Sequence, residues 1–171
     1  FLEQRKNELP DDNLALLRVA RAWLAGERDI DVGESGFLLR TTSVMVWKLG
    51  IDKKFIKHGS LLKRRISDNP EIINYPLEKL RKLDDEPAET SQWMSAVVLC
   101  GNKEKVDDEP FHLKMTYKAM AHWEAQRARG LCWEPRYDET ILRQAVTFIK
   151  LLKQEKVSFV AQQPEDYCFA F

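Results

Sequence analysis

Asp29-Ile30-Asp31-Val32-Gly33-Glu34-Ser35-Gly36 is the stretch on which the fold turns. Polar and apolar residues alternate over its first four positions, the period of a half-buried strand. Gly33 and Gly36 then bracket a tight turn, and residues 37–49 form a long apolar segment. The reading is strand, tight turn, helix.

Upstream, Asp11-Asp12-Asn13 precede Leu14, Leu16, Leu17, Val19, Ala20, Trp23 and Leu24, the pattern of an N-capped amphipathic helix that stops near Gly26. Downstream, Phe55-Ile56 before His58-Gly59 predicts a second short strand, followed by the basic run Lys63-Arg64-Arg65. Pro76, in the favoured first-turn position, opens a helix through Leu77, Leu80 and Leu83. Residues 84–89 read as a polar loop, and Trp93 to Cys100 as a buried helix closed by Gly101-Asn102. Phe111, Leu113 and Met115 alternate with His112 and Lys114, which predicts a half-buried strand. Helices follow over 117–128, ending at Arg129-Gly130, and over 139–153, with a last strand at 157–160. Strand and helix alternate without a tandem repeat, so the fold class is α/β, with α+β as the alternative.

Composition narrows the function classes. The chain has 171 residues, 27 Lys+Arg against 27 Asp+Glu, 32% charged and 44% hydrophobic residues. A balanced charge argues against a duplex-binding domain, whose affinity comes from phosphate neutralisation. It also argues against a disordered acidic tail. The basic stretch Lys53-Lys54, Lys57 and Lys63 to Arg65 is too local to change this, and no nucleic acid or membrane partner is expected. Cys100, Cys132 and Cys168 are far apart and lack C-x-x-C spacing, so neither a disulfide framework nor a zinc knuckle is indicated and a cytoplasmic setting is the default. No apolar run reaches the ~20 residues of a membrane span. The start at Phe1 and the apolar end Tyr167-Cys168-Phe169-Ala170-Phe171 suggest a segment of a longer protein.

Three local features have the chemistry to hold an anion. Gly33-Glu34-Ser35-Gly36 opens a helix, where free N–H groups favour negative charge and glycine admits a ligand close to the backbone. It is neither a Walker loop nor a dinucleotide fingerprint, and a plain tight turn is the simpler reading. The arginines of Lys63-Arg64-Arg65 offer planar forks suited to carboxylate or phosphate, although such runs are more often solvated loops. Thr90-Ser91-Gln92 places two hydroxyls and an amide at a helix start, where simple N-capping is the alternative. His58, His112 and His122 lack metal-ligand spacing, and no metal site is expected. The five tryptophans lie mostly in helical patterns and read as core.

Taken in order, these features resemble the enolpyruvyl transferases, in particular the enolpyruvylshikimate-phosphate synthase family. Residues Ile30 to Arg40 look like its Asn/Glu-x-Gly-Thr-x-x-Arg signature, and His58 to Arg65 is similar to its Gly-x-x-x-x-x-x-Arg-Pro loop. Thr90-Ser91-Gln92-Trp93-Met94-Ser95-Ala96-Val97-Val98-Leu99 resembles its Ser-Ser-Gln-x-x-Ser-Ala-Leu-Leu motif, the most specific of the set. Asp108-Glu109-Pro110-Phe111 to Thr116 resembles the Ser-x-Pro-Tyr-x-x-x-Thr segment. The likeness runs from Asp29 to about Trp123.

The resemblance implies one globe of an inside-out α/β barrel, with helices packed under small sheets and residues 1–171 forming a single domain. It implies transfer of a carboxyvinyl group from phosphoenolpyruvate to shikimate-3-phosphate, a step of aromatic amino acid biosynthesis, without metal or organic cofactor. Thr90, Ser91 and Gln92 would meet the shikimate phosphate and ring; Gly36, Arg65 and Gln92 would meet phosphoenolpyruvate. The second globe of the same protein would complete the chemistry, so this segment holds no catalytic residue and alone should not turn over. The alternative reading is a non-catalytic anion-binding or interaction module that kept the fold and lost the site. It is motivated by Phe37 in place of the family's Thr, where a bulky ring would fill the phosphoenolpyruvate pocket or tilt the turn. Asp108 in place of Ser points the same way, as does the helical insertion at 124–156. Ile66 also stands for the family's proline, and Phe111 for its tyrosine.

Overall fold

A computed structural model describes residues 11–83, 92–102, 111–130 and 140–154. Its first half is a strand–helix–strand unit. Helix α1 (Asp11–Leu24) leads into β1 (Asp29–Gly33), α2 (Gly36–Leu49) and β2 (Lys54–Lys57). The two strands pair in parallel, Asp29 opposite Lys54, Ile30 opposite Phe55 and Asp31 opposite Ile56. The register slips between Asp31 and Gly33, so that Gly33 faces Lys57. Parallel neighbours require a crossover, and α2 supplies it. The arrangement is mixed α/β, with the helical share dominant among the described residues.

Each joint has a local cause. Acidic Asp11 and Asp12 lie in the first turn of α1, where the helix dipole favours negative charge, and Arg21 lies in the last. Ala15, Leu16, Val19 and Ala20 give α1 a buried stripe that packs on β1, whose Ile30 and Val32 are fully buried. Arg18 fastens the two, with Nε donating to the Asp31 carbonyl (3.0 Å) and lying 3.2 Å from the Asp31 carboxylate. Helix α2 starts where the Ser35 hydroxyl accepts from the Leu38 N–H (3.3 Å). It ends at Gly50, whose φ of 64° closes the helix in the left-handed conformation.

Burial runs round most of α2, from Leu38 and Leu39 through Thr41, Thr42 and Ser43 to Val44 and Val46. A helix covered on several sides is a central element rather than a surface one. Two apolar clusters meet along it. The first joins α1, β1, Leu38 and Leu39 to Leu61 and to Phe148 of α6 (Thr140–Leu152). The second joins Val44 to Trp93, Met94 and Val98 of α4 (Gln92–Leu99) and to Leu113 of α5 (Phe111–Ala128). It also takes in Leu77 and Leu80 of α3 (Leu77–Leu80). Trp47 and Trp93 stack across α2 and α4 with centroids 5.4 Å apart. A hydrogen bond from Gln144 Nε2 to Asp12 Oδ2 (2.8 Å) ties α6 to the start of α1.

The strand expected at 111–115 is instead the first turn and a half of α5. Leu113 and Thr116 are buried, with Tyr117 and Met120 packed beside them. That spacing of three, four and seven outweighs a five-residue alternation, which a helix start also produces. The helix opened at Pro76 is a single turn, with Pro76 as its N-cap and Leu83 beyond its end. Two 3₁₀ turns, Gly59–Leu62 and Pro70–Asn74, have no expectation to match; the second is capped by Asn69, whose Oδ1 accepts from the Glu71 N–H (2.9 Å). The loop at 84–89 and the strand at 157–160 lie outside the described residues. Among those described, no helix is long and apolar enough to cross a membrane.

Candidate anion-binding site

Both parallel strands deliver their carboxyl ends to the same place. Beyond β1, Gly33-Glu34-Ser35 turns into α2, and beyond β2, His58-Gly59-Ser60 turns into the 3₁₀ segment Gly59–Leu62. Ligands of open parallel sheets sit outside such ends. The two turns are bonded together: the His58 N–H donates to the Gly33 carbonyl (2.9 Å), and the Ser60 N–H donates to Glu34 Oε2 (2.9 Å). Asp31 joins them from the strand, with Oδ1 accepting from the Gly33 N–H (2.9 Å) and lying 3.1 Å from His58 Nε2.

Gly33 and Gly36 do different work in the first turn. Gly33 has φ of 62°, and a Cβ there would stand 2.8 Å from the Arg18 guanidinium. Gly36 is already helical, and what it provides is room. A Cβ on Gly36 would come 2.6 Å from Arg40 Nη1, 3.4 Å from Arg64 Nη1 and 3.6 Å from Gln92 Oε1. Three polar groups from three segments therefore converge on the bare face of one glycine. Arg40 is buried, one helical turn on from Gly36, and donates from Nη1 to Gln92 Oε1 (2.5 Å) across to α4. Arg64 is exposed and reaches Gly36 from the loop after β2.

Two guanidinium groups flanking one point at a helix start form a positive cradle whose planar forks suit a phosphate or carboxylate. Glu34, which as a free carboxylate would repel such a ligand, is engaged with Ser60. The Ser60 backbone N–H and hydroxyl hold its carboxyl below the usual 4.5, with His58 and Arg64 adding to the effect. Phe37 does not occupy the cradle. Its ring packs against the first apolar cluster and faces a groove lined by Thr41, Met45 and Phe148. Gly36 and Phe37 are adjacent in sequence, and a helix sends adjacent side chains about 100° apart.

Of the residues singled out in the sequence, Gly36 and Gln92 are brought together. Arg65 is exposed, and its neighbour Arg64 supplies the guanidinium next to Gly36. Thr90, Ser91 and Asp108 lie outside the described residues. Arg40 closes the first motif, yet a buried arginine four residues after the glycine was the clearer signal: that spacing places both on one helix face. Among the described residues, no group of three or more His, Cys, Asp and Glu side chains is placed to hold a metal ion. Comparison with known protein families, curated proteins and solved structures returned no match.

Proposed function

We propose that this chain is part of a 3-phosphoshikimate 1-carboxyvinyltransferase-like protein, one globe of an inside-out α/β barrel. In this reading it binds the anionic ends of phosphoenolpyruvate and shikimate-3-phosphate, and the second globe completes the chemistry. Gly36, Arg40, Arg64 and Gln92 hold phosphoenolpyruvate. Thr90 and Ser91, next to Gln92 in sequence, hold the shikimate phosphate. The observation that carries the reading is the convergence of Arg40, Arg64 and Gln92 on the bare face of Gly36. These residues come from three of the four motifs by which the sequence resembles that family. The cradle supplies orientation and charge compensation, the main protein contributions to an adduct-forming condensation that ends in phosphate release.

Calorimetric titration with phosphoenolpyruvate in the presence of shikimate-3-phosphate tests it. Arg64→Ala is expected to weaken binding about tenfold, the loss of one charge-assisted hydrogen bond, and Arg65→Ala to leave it nearly unchanged. Equal behaviour of the two variants, or absence of binding by the unaltered protein, would sink the assignment. A second reading, anion binding without transfer, draws on the engagement of Glu34 by Ser60, which keeps that carboxylate out of proton transfer at the cradle. Tight binding of both substrates with no phosphate released by the full protein would favour it.

A further inference from the structure

His58 stands at the root of the arginine side of the cradle. It is the N-cap residue of the 3₁₀ turn Gly59–Leu62, from which the chain passes through Lys63 to Arg64. Its main chain is fixed to the turn after β1, since its N–H donates to the Gly33 carbonyl (2.9 Å). Its side chain is fixed to β1 itself, with Nε2 3.1 Å from Asp31 Oδ1. Asp31 is in turn held in place: the same oxygen accepts from the Gly33 N–H (2.9 Å), and Oδ2 lies 3.2 Å from Arg18 Nε of α1. Glu34, in the turn after β1, also feels His58. Its carboxyl is lowered first by the Ser60 N–H and hydroxyl, and further by the charges of His58 and Arg64. The imidazole therefore has Asp31 of β1 and Glu34 of the next turn as its carboxylates, Arg18 of α1 on the other oxygen of Asp31, and Lys57 and Arg64 along its own segment.

We infer that His58 is a positioning residue whose protonation tightens the clasp between the two turns and so holds the Arg64 guanidinium at Gly36. The role rests on the proposed cradle as an anion site and adds how that site responds to pH. Histidine is the side chain that ordinarily gains its charge between pH 8 and pH 5. A neutral imidazole offers Asp31 an ordinary hydrogen bond, whereas an imidazolium offers a charge-assisted one, roughly twice as strong. The clasp thus strengthens as pH falls. Because the His58 side chain is 55% exposed, solvent screens the pair and the change in anion affinity is small, about threefold.

Calorimetric titration of the full chain with sulfate, which stays a dianion throughout this range, tests the role. The unaltered protein should bind sulfate about threefold more tightly at pH 5.5 than at pH 8. His58→Gln, which keeps an N–H donor for Asp31 and cannot gain charge, should lose that gain, with circular dichroism confirming that the variant folds. Arg64→Ala should lose it as well, while still binding sulfate weakly through Arg40. A gain that survives His58→Gln would assign it to another group and overturn the inference. A gain that survives Arg64→Ala would show the imidazolium attracting the anion directly, which overturns the positioning role. Phosphoenolpyruvate, titrated alongside, separates the clasp from the substrate assignment. If sulfate shows the response and phosphoenolpyruvate does not bind, the transferase reading falls and the clasp stands. If phosphoenolpyruvate binds and sulfate shows no response, the clasp falls and the reading stands; if neither anion binds, both fall.

Discussion

The position with the least freedom in the cradle is Gly36. Any side chain there must displace the Arg40 guanidinium, which is buried and bonded to Gln92, so the collision is with a fixed group. Gly36→Ala is therefore expected to cost about 1–3 kcal/mol of stability, the usual range for overpacking. That holds even though alanine is otherwise the better helix residue by about 1 kcal/mol. Phosphoenolpyruvate affinity should fall with it, because the Arg40–Gln92 pair is pushed off the glycine face. Denaturant unfolding and calorimetry on the same preparation check both; a variant as stable as its parent with unaltered affinity would show that the space is not needed. Arg64 and Arg65 illustrate a limit at this scale. Adjacent arginines in a loop carry the same charge in sequence, and only the path of the 3₁₀ turn Gly59–Leu62 decides which guanidinium arrives at Gly36.

Between elements, the decisive link is the bond from the Ser60 N–H to Glu34, which holds the turn after β2 against the turn after β1 and so keeps Arg64 within reach. Folding lowers the Glu34 carboxyl below its ordinary 4.5. The unfolded chain then binds more protons than the folded one between the two values, and the stabilisation is complete above 4.5 and disappears as pH falls through the lowered value. Glu34→Gln should melt at a lower temperature than the parent at pH 7, and the gap should close as melting curves are taken at progressively lower pH below 4.5. A gap that stays constant down to pH 2 would show that the charge plays no part. The strand–turn–helix–strand order was legible because alternation, paired glycines and a long apolar run each point the same way over 29–57. The start of α5 was not, because five alternating residues fit either period and Leu113, Thr116 and Met120 declare the helix only when taken together. The meeting of Gly36 with Gln92 is likewise a matter of how α2 packs on α4, which local sequence does not encode.

At the scale of the molecule, α2 is common to both apolar clusters, contributing Leu38 and Leu39 to one and Val44 to the other, while Ile66 packs against each. A helix shared in this way cannot keep one cluster intact while the other dissolves, so the described core should unfold as one cooperative unit. Trp93 is the residue to probe it. It is fully buried in the second cluster, stacks on Trp47 and directly follows Gln92 of the cradle. Trp93→Ala is expected to cost about 3–5 kcal/mol, the range for deleting a large buried ring. Trp93→Phe should cost much less, since it keeps an aromatic partner for Trp47 and removes an indole N–H that has no hydrogen-bond partner in its pocket. Far-UV circular dichroism, which follows all the helices, and near-UV circular dichroism, which follows the packed aromatic side chains, should report one midpoint in the parent and in both variants. If near-UV signal were lost well before helicity, the second cluster would be an independent unit. The cradle, which needs Gly36 and Arg40 from α2 and Gln92 from α4, could then open without unfolding the strand–helix–strand half.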